Sequence, residues 1–327
     1  MIQIKKSIHR IRVYFCGLKI FSCPNPKAAY YQELYARRFS PDLTLDEKTA
    51  IISMQFEDGT GYPLRLIKPE TFNEKLQWLK LFGDIPPLVT LASDKYRVKE
   101  HVADTIGAEH VIPLLGVWDR PEDIDFSALP DAFVLKVNHG SDQNIIVRDK
   151  SAADLQSIRQ RLADWLRPEA NRYYFSFEPS YRDISPKIIC EPYVGALAEN
   201  LTCYKIFTFG GKPELLQVVF DDKTRHMTIN YYDLHWNKLP LRQNHPGNDR
   251  DIAPPKGLPT MIALAKKLAK PFPHFVRVDF FAVDDTVFFS EFTFFSDNGM
   301  AAFHPPDWDK KLGDLIILKH CCPAKAQ

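Results

Sequence analysis

FVRVDFFAVDDTVFFSEFTFFSDNGMAAF, residues Phe275–Phe303, reads as two strands of alternating character around Asp284-Asp285-Thr286. A three-residue loop sets Asp279 directly opposite Glu291, and Arg277 opposite Thr293. A two-residue loop would turn Glu291 to the other face, because side chains alternate with a period of two. In the favoured register one face carries Arg277, Asp279, Glu291 and Thr293; the other carries Val278, Phe280, Phe288, Phe292 and Phe294. Two carboxylates across a hairpin repel unless a cation sits between them. Hard oxygens are what Mg²⁺ requires, with phosphate oxygens completing its shell. A surface ion-pair cluster around Arg277 is the plainer alternative, but the apolar residues on every side favour the metal.

Upstream, Ala132–Val147 reads as strand, loop and strand: Phe133–Val137, Asn138–Asn144 and Ile145–Val147. Lys136 ends the first strand, and the polar loop with Gly140 and Ser141 offers backbone N–H groups of the kind that cradle phosphate. A simple hairpin turn is the alternative. KIICEPYV, Lys187–Val194, is an apolar strand running into Glu191-Pro192-Tyr193-Val194, where backbone groups could meet a purine edge. Lys205 lies inside the next apolar strand, a costly place for a cation unless an anion pairs with it; a wet strand face is the competing reading.

The rest of the chain alternates helix and strand signals. Asp46–Phe82 is helical in pattern, with Asn73 as an N-cap, and Ser93-Asp94-Lys95 opens a helix that stops at Gly107. A helix over 152–166 and an aromatic loop region over 167–186 follow. Strands are expected at 187–194, 203–209, 214–220, 226–232, 275–283 and 286–294, interrupted by one helix at 258–270. The class is α+β, with a smaller strand-loop-strand unit ahead of a larger antiparallel sheet. The expected divisions are a basic arm and helical lead-in over 1–70, a part with the small subdomain over 71–186, and a large subdomain with the metal site over 187–327.

Composition excludes several classes. The 327 residues carry a net charge of +1, which argues against a nucleic-acid binder. Six cysteines (Cys16, Cys23, Cys190, Cys203, Cys321, Cys322) form no CxxC pair or His-Cys cluster, so thiols in a reducing compartment are expected and zinc is not. With no membrane-length apolar stretch and no signal-like start, the cytoplasm is the expected compartment. Residues 1–32 hold Lys5, Lys6, Arg10, Arg12, Lys19 and Lys27 and no acid, interleaved with Ile2, Ile4, Ile8, Ile11, Val13 and Phe15. This segment reads either as a solvated arm or, more sharply, as a contact with the anionic inner face of a membrane.

Together the motifs resemble the ATP-grasp superfamily, and within it the TupA-like polysaccharide-biosynthesis family. The resemblance runs from about Phe72 to Leu318. It rests on Phe72-Asn73-Glu74-Lys75, Ser93-Asp94-Lys95-Tyr96, Ile112–Val117, Phe133–Val147, Tyr181 with Pro186–Val194, Tyr204-Lys205, Arg277-Val278-Asp279, Glu291-Phe292-Thr293 and Asp309–Leu318. It implies two subdomains gripping ATP. Lys95, Lys136 and Lys205 would contact the phosphates, with Gly140-Ser141 in a lid. Glu191, Pro192, Tyr193 and Val194 would form the adenine hinge. Asp279 and Glu291 would hold Mg²⁺, with Thr293 the uncertain third ligand, and Arg277 would steady the transferred group. The chain departs from the superfamily pattern at Thr293, where Asn is common, at Asp142-Gln143, where the loop normally reads Ser-Gly, and at Cys203, where an acidic residue usually stands.

The implied reaction is carboxylate–amine ligation through an acyl phosphate. Its carboxylate would belong to a uronic acid of a surface glycan or of a lipid-linked or nucleotide-linked sugar, and its amine to an amino acid or other small amine. Candidate acceptor contacts are His139, Arg182, Arg225, His226 and Trp236. A glycosyltransferase, an ATP-grasp kinase and a non-catalytic nucleotide binder are the competing functions; no Asp-x-Asp motif or doubly wound βαβ series supports the first.

Overall fold

The structure is a computed structural model and describes residues 2–6, 10–15, 18–197, 202–222, 224–250, 252–283 and 286–318. Cys16, Cys321, Cys322, Asp284 and Asp285 lie outside the described residues, as do the side chains of 1–22 on which the membrane-surface reading rests. Cys23, Cys190 and Cys203 are free thiols. The chain divides into two compact units, 1–84 with 297–327, and 85–296, a division that differs from the boundaries at 70 and 186 expected from the sequence.

In the first unit β1 (Ile2–Lys6), β2 (Arg10–Phe15) and β3 (Leu18–Pro24) form an antiparallel sheet. Helices α1 (Lys27–Ala36), α2 (Leu45–Thr60) and α3 (Phe72–Phe82) follow. The helical run expected over 46–82 is therefore two helices. The first ends where Gly61 takes a left-handed φ of 82°, a conformation that favours glycine. The second is capped by Thr71, not Asn73: the Thr71 side chain accepts from the Glu74 N–H, and Glu74 reaches back to the Thr71 N–H. Asn73 is buried instead, its amide donating to Ala301 O and Asp309 Oδ2 at 2.9 Å each.

The second unit opens with α4 (Pro87–Ser93), which the sequence reading did not expect, and α5 (Val98–Ile106), which ends at Gly107 as expected. The Asp94 carboxylate accepts from the Tyr96 and Arg97 N–H groups and shapes the turn into α5. Next come β4 (Gly116–Trp118), β5 (Phe133–Val137), β6 (Asn144–Val147), α6 (Leu155–Trp165), the short α7 (Tyr173–Ser176) and β7 (Ile188–Pro192). A second strand series follows: β8 (Thr202–Phe209), β9 (Lys212–Phe220), β10 (Thr228–Asp233) and β11 (Lys238–Leu239). The unit closes with α8 (Leu258–Ala269), β12 (Phe275–Val283) and β13 (Thr286–Thr293). The chain then returns to the first unit, where α9 (Asp307–Asp314) packs on α3.

Two antiparallel sheets result, ordered β4-β7-β5-β6 and β11-β10-β9-β8-β12-β13. Strand β7 pairs with β4 and β5, so the stretch from 187 belongs to the smaller sheet rather than to the larger one. Each sheet buries one face under a helix. Phe133, Leu135, Ile145, Val147 and Ile188 pack with Ile158 and Leu162 of α6. On β12, Val276, Val278 and Phe280 are fully buried on the side covered by α8. At about 1.5–3 kcal/mol for each large apolar side chain buried, this pattern fixes the strand's register. It leaves Arg277, Asp279 and Phe281 on the opposite face.

The hairpin reaches the expected pairing by a different route. Asp279 lies opposite Glu291 and Arg277 opposite Thr293, yet pairing continues to Val283–Thr286, so two residues connect the strands rather than three. A bulge between the Asp279–Glu291 and Phe280–Phe289 pairs leaves Ser290 as the extra residue and restores Glu291 to the face of Asp279. It also corrects the apolar face. Phe289, not Phe288, joins Phe280 and Phe292, while Phe288 packs beside Phe281 against Ile112, Val194 and Val283.

Candidate active site

The uncovered faces of the two sheets line a cavity of about 850 Å³. Its apolar wall includes Ile112, Val134, Val194 and Phe281, and Lys95, Lys136, Lys205, Glu191, Asp279 and Glu291 also reach it. Of the sequence-named nucleotide residues, Ser141, Pro192 and Tyr193 line it as well, whereas Gly140 does not.

At one end Asp279, only 1% exposed, is held by cations. The Arg277 guanidinium donates from Nε to Oδ1 and from Nη2 to Oδ2, each at 2.8 Å. Arg277 is itself fixed by Ser296 Oγ at 2.9 Å and Thr293 Oγ1 at 3.0 Å. Lys205, directly opposite Asp279 on β8, places Nζ 3.7 Å from Oδ2. Burial and Arg277 push the Lys205 pKa down, but Asp279, Cys203 and Glu291 outweigh them and it ends above its usual value. Glu291 lies 3.5 Å from Lys95 Nζ and 3.9 Å from Arg277 Nη2. Arg277 and Thr293 are not among the residues lining the cavity; they stand beside its carboxylates as the neighbouring cross-strand pair.

The smaller sheet supplies a second cluster. Glu191 on β7 sits diagonally from Lys136 on β5, and its Oε2 is 2.5 Å from Lys136 Nζ. Its Oε1 is 2.6 Å from Lys99 Nζ, from the first turn of α5. Burial pushes the Glu191 carboxyl up, but the two lysines more than offset it and hold it below the usual range. Its side chain thus faces lysines, and its backbone pairs with β5 opposite Val134. Sequence reasoning missed Lys99. The available signal was a cation in a helix first turn, where the dipole disfavours positive charge.

Loop 138–143 is built from its neighbours. Asn138 donates to Asp94 Oδ1 and Ser185 O at 3.0 Å each, and Lys95 Nζ donates to Gly140 O at 2.7 Å. Asp142 takes a left-handed φ of 58°, which aspartate tolerates better than most residues, so the turn survives without the usual glycine. Cys203 is buried, and burial pushes its thiol up to about 12.

The five acceptor candidates are not brought together. His139 is buried and anchored to Trp165 O at 3.1 Å; burial, aided by Lys95, lowers its pKa to about 4. Arg182 is exposed and pairs with Asp183. Trp236 stacks on Tyr232 at 4.4 Å and donates to Ile252 O at 2.8 Å. Arg225 is exposed against His226, and His226 lines a second cavity of about 460 Å³ with Asp221, Thr224, Thr228, Asn248 and Arg250. His139, Arg182, Arg225 and Trp236 line neither cavity.

Asp279 and Glu291 suit a hard divalent cation, being oxygen donors directly opposed across two strands. Among the described residues no group of three or more His, Cys, Asp or Glu could hold a metal, so two carboxylates would need ligand oxygens to complete a shell.

Two antiparallel sheets closing on a cation-rich cavity, with a carboxylate pair at one end, form an ATP-grasp fold. The chain belongs to the TupA-like ATP-grasp family, described as TupA-like ATPgrasp, whose match covers residues 74–317. No curated protein matches it. Among solved structures it is similar to D-alanine–D-alanine ligase from Bacillus anthracis complexed with ATP, at 15% identity and a TM-score of 0.42, over 73% of this chain and 66% of that one. It is also similar to a D-cycloserine synthetase, at 15% identity and a TM-score of 0.40, over 83% of this chain and 78% of that one. A third likeness is N5-carboxyaminoimidazole synthetase from Staphylococcus aureus complexed with ADP, at 16% identity and a TM-score of 0.36, over 68% and 52%.

Proposed function

We propose that the cavity binds Mg-ATP and that the protein is a ligase joining a carboxylate to an amine. The observation carrying this reading is the opposed pair Asp279 and Glu291, with Lys205, Arg277 and Lys95 within 4 Å of one or the other. The purine packs against Ile112, Val134, Val194 and Phe281, its edge toward the backbone of Glu191–Val194. Lys95, Lys136 and Lys205 take the phosphates, with Gly140-Ser141 above them. Asp279 and Glu291 would hold Mg²⁺, which would neutralise phosphate charge. Thr293 serves by bracing Arg277.

A substrate carboxylate oxygen attacks the γ-phosphorus, and the bond to the β–γ bridging oxygen breaks to release ADP. Arg277 and Lys205 stabilise the charge that develops there. The amine then attacks the acyl carbon, loses a proton and expels phosphate. Following the family resemblance, the carboxylate belongs to a uronic acid of a bacterial surface polysaccharide and the amine to an amino acid or small amine. Incubation with ATP, Mg²⁺, an amino acid and a uronic-acid glycan should yield amide, ADP and phosphate in equal amounts. Hydroxylamine in place of the amino acid should give a hydroxamate. A phosphorylated glycan persisting without amine would make the protein a kinase, and sugar transfer with ATP idle would sink the reading.

No helix among the described residues is long and apolar enough to cross a membrane. The cytoplasm, at the membrane's inner face, is the proposed place of action, and the basic start should favour anionic over neutral vesicles, less so at high salt. Equal binding after truncation to Lys27 would return that segment to a solvated arm.

A further inference from the structure

Glu191 is a carboxylate with a different lysine on each oxygen, and the two lysines stand in different places. Lys136 reaches the cavity, and Glu191 is its one recorded partner among the described residues. Lys99 is not among the cavity-lining residues; it is 14% exposed and tied a second time, donating to Ile112 O at 2.7 Å. One lysine is therefore placed to leave and the other to stay. A nucleotide entering the cavity brings several negative charges close to Lys136. If Lys136 turned toward them with no second cation present, Glu191 would be left buried and unpaired, a state strongly disfavoured in a protein interior.

We propose that Lys99 is a positioning residue that keeps Glu191 neutralised while Lys136 transfers from Glu191 to the nucleotide phosphates. The role rests on the Mg-ATP reading of the cavity and adds to it a residue that touches no nucleotide. It also accounts for a cation in the first turn of α5, where the helix dipole alone would select an acid. An ammonium serves Lys136 well, because it is a compact charge on a flexible stem that can exchange one oxygen partner for another.

The test is a double-mutant cycle read by calorimetric titration of full-length protein with Mg-ATP and with ADP. Lys99→Met should weaken nucleotide binding about 10- to 100-fold, the range of one hydrogen bond to a charged group. It should raise KM for ATP by a similar factor and leave kcat at saturating ATP nearly unchanged. Lys99→Arg should restore parental affinity. In a Glu191→Gln background, adding Lys99→Met should change affinity less than about twofold, since no buried charge then needs a second cation. That comparison still decides the matter if Lys99→Met alone fails to fold. Parental affinity in Lys99→Met, or a full loss on adding Lys99→Met to Glu191→Gln, overturns the role. Unchanged nucleotide binding in both Lys136→Ala and Lys205→Ala would instead sink the underlying Mg-ATP reading.

Discussion

Asp279 and Glu191 are both carboxylates almost wholly removed from water, and each faces two cations, yet the cations differ in kind. Asp279 is gripped by Arg277, two residues away on its own strand, through two parallel hydrogen bonds of 2.8 Å. Ser296 and Thr293 lock that guanidinium in turn. Glu191 is held by single contacts from Lys136 and Lys99, which arrive from separate elements. A planar fork braced on both sides keeps one geometry, whereas an ammonium on four methylenes can move among partners. The first arrangement suits a site that must hold still while charge develops, and the second suits a site that exchanges an internal anion for an incoming one.

The largest effect should come from the fixed end. Glu291→Ala removes a carboxylate whose side chain is 35% exposed, so the fold should survive with a melting temperature near the parent's. Mg-dependent ATP turnover should fall by on the order of a thousandfold or more. Parental turnover in this variant would remove the carboxylate pair from the mechanism.

Arg277→Ala comes next, and two quantities should move together. Asp279 is left buried with Lys205 at 3.7 Å as its remaining cation, which should lower stability by about 3–5 kcal/mol. Turnover should drop roughly 10²- to 10³-fold while ATP binding weakens far less, because the guanidinium acts on developing charge. Equal losses in binding and turnover would show that Arg277 serves nucleotide affinity instead.

Lys136→Ala probes the exchangeable end and should separate the quantities that Arg277→Ala couples. ATP affinity should weaken roughly 10- to 100-fold. Stability should change little, since Lys99 still faces Glu191 at 2.6 Å. A melting temperature as depressed as that of Arg277→Ala would erase the difference between the two clusters.

The same two regions show what a sequence discloses. The alternation VRVDF marked the carboxylate face of β12 without ambiguity, because Val276, Val278 and Phe280 must all turn inward together. The bulge at Ser290 was invisible, since a three-residue turn and a two-residue turn with one extra residue give Asp279 the same partner. Only Phe288 and Phe289 distinguish the two, and both are phenylalanine. Strand β7 was legible as a strand but not as a member of the smaller sheet, because pairing across more than 50 residues leaves no local trace. Lys99 was hidden for the same reason: its partner arrives from a distant strand. Arg182, Arg225 and Trp236 were chosen by residue type without any spacing to support them, and each finds an ordinary local partner.

The finest test keeps every charge and changes only its shape. Lys136→Arg leaves the cation count of the cavity unaltered, so a purely electrostatic account expects parental nucleotide affinity. The contrast between the clusters expects otherwise. An arginine at 136 can offer Glu191 a parallel pair of hydrogen bonds like those Arg277 gives Asp279, and release then breaks two bonds rather than one. ATP should bind up to about tenfold more weakly, and the unliganded protein should melt at a slightly higher temperature. Calorimetry on the variant with and without Glu191→Gln separates the causes. If the amide restores affinity, the arginine was held by the carboxylate. If it does not, the guanidinium misfits the phosphates and the exchange between partners is not what sets affinity at this end of the cavity.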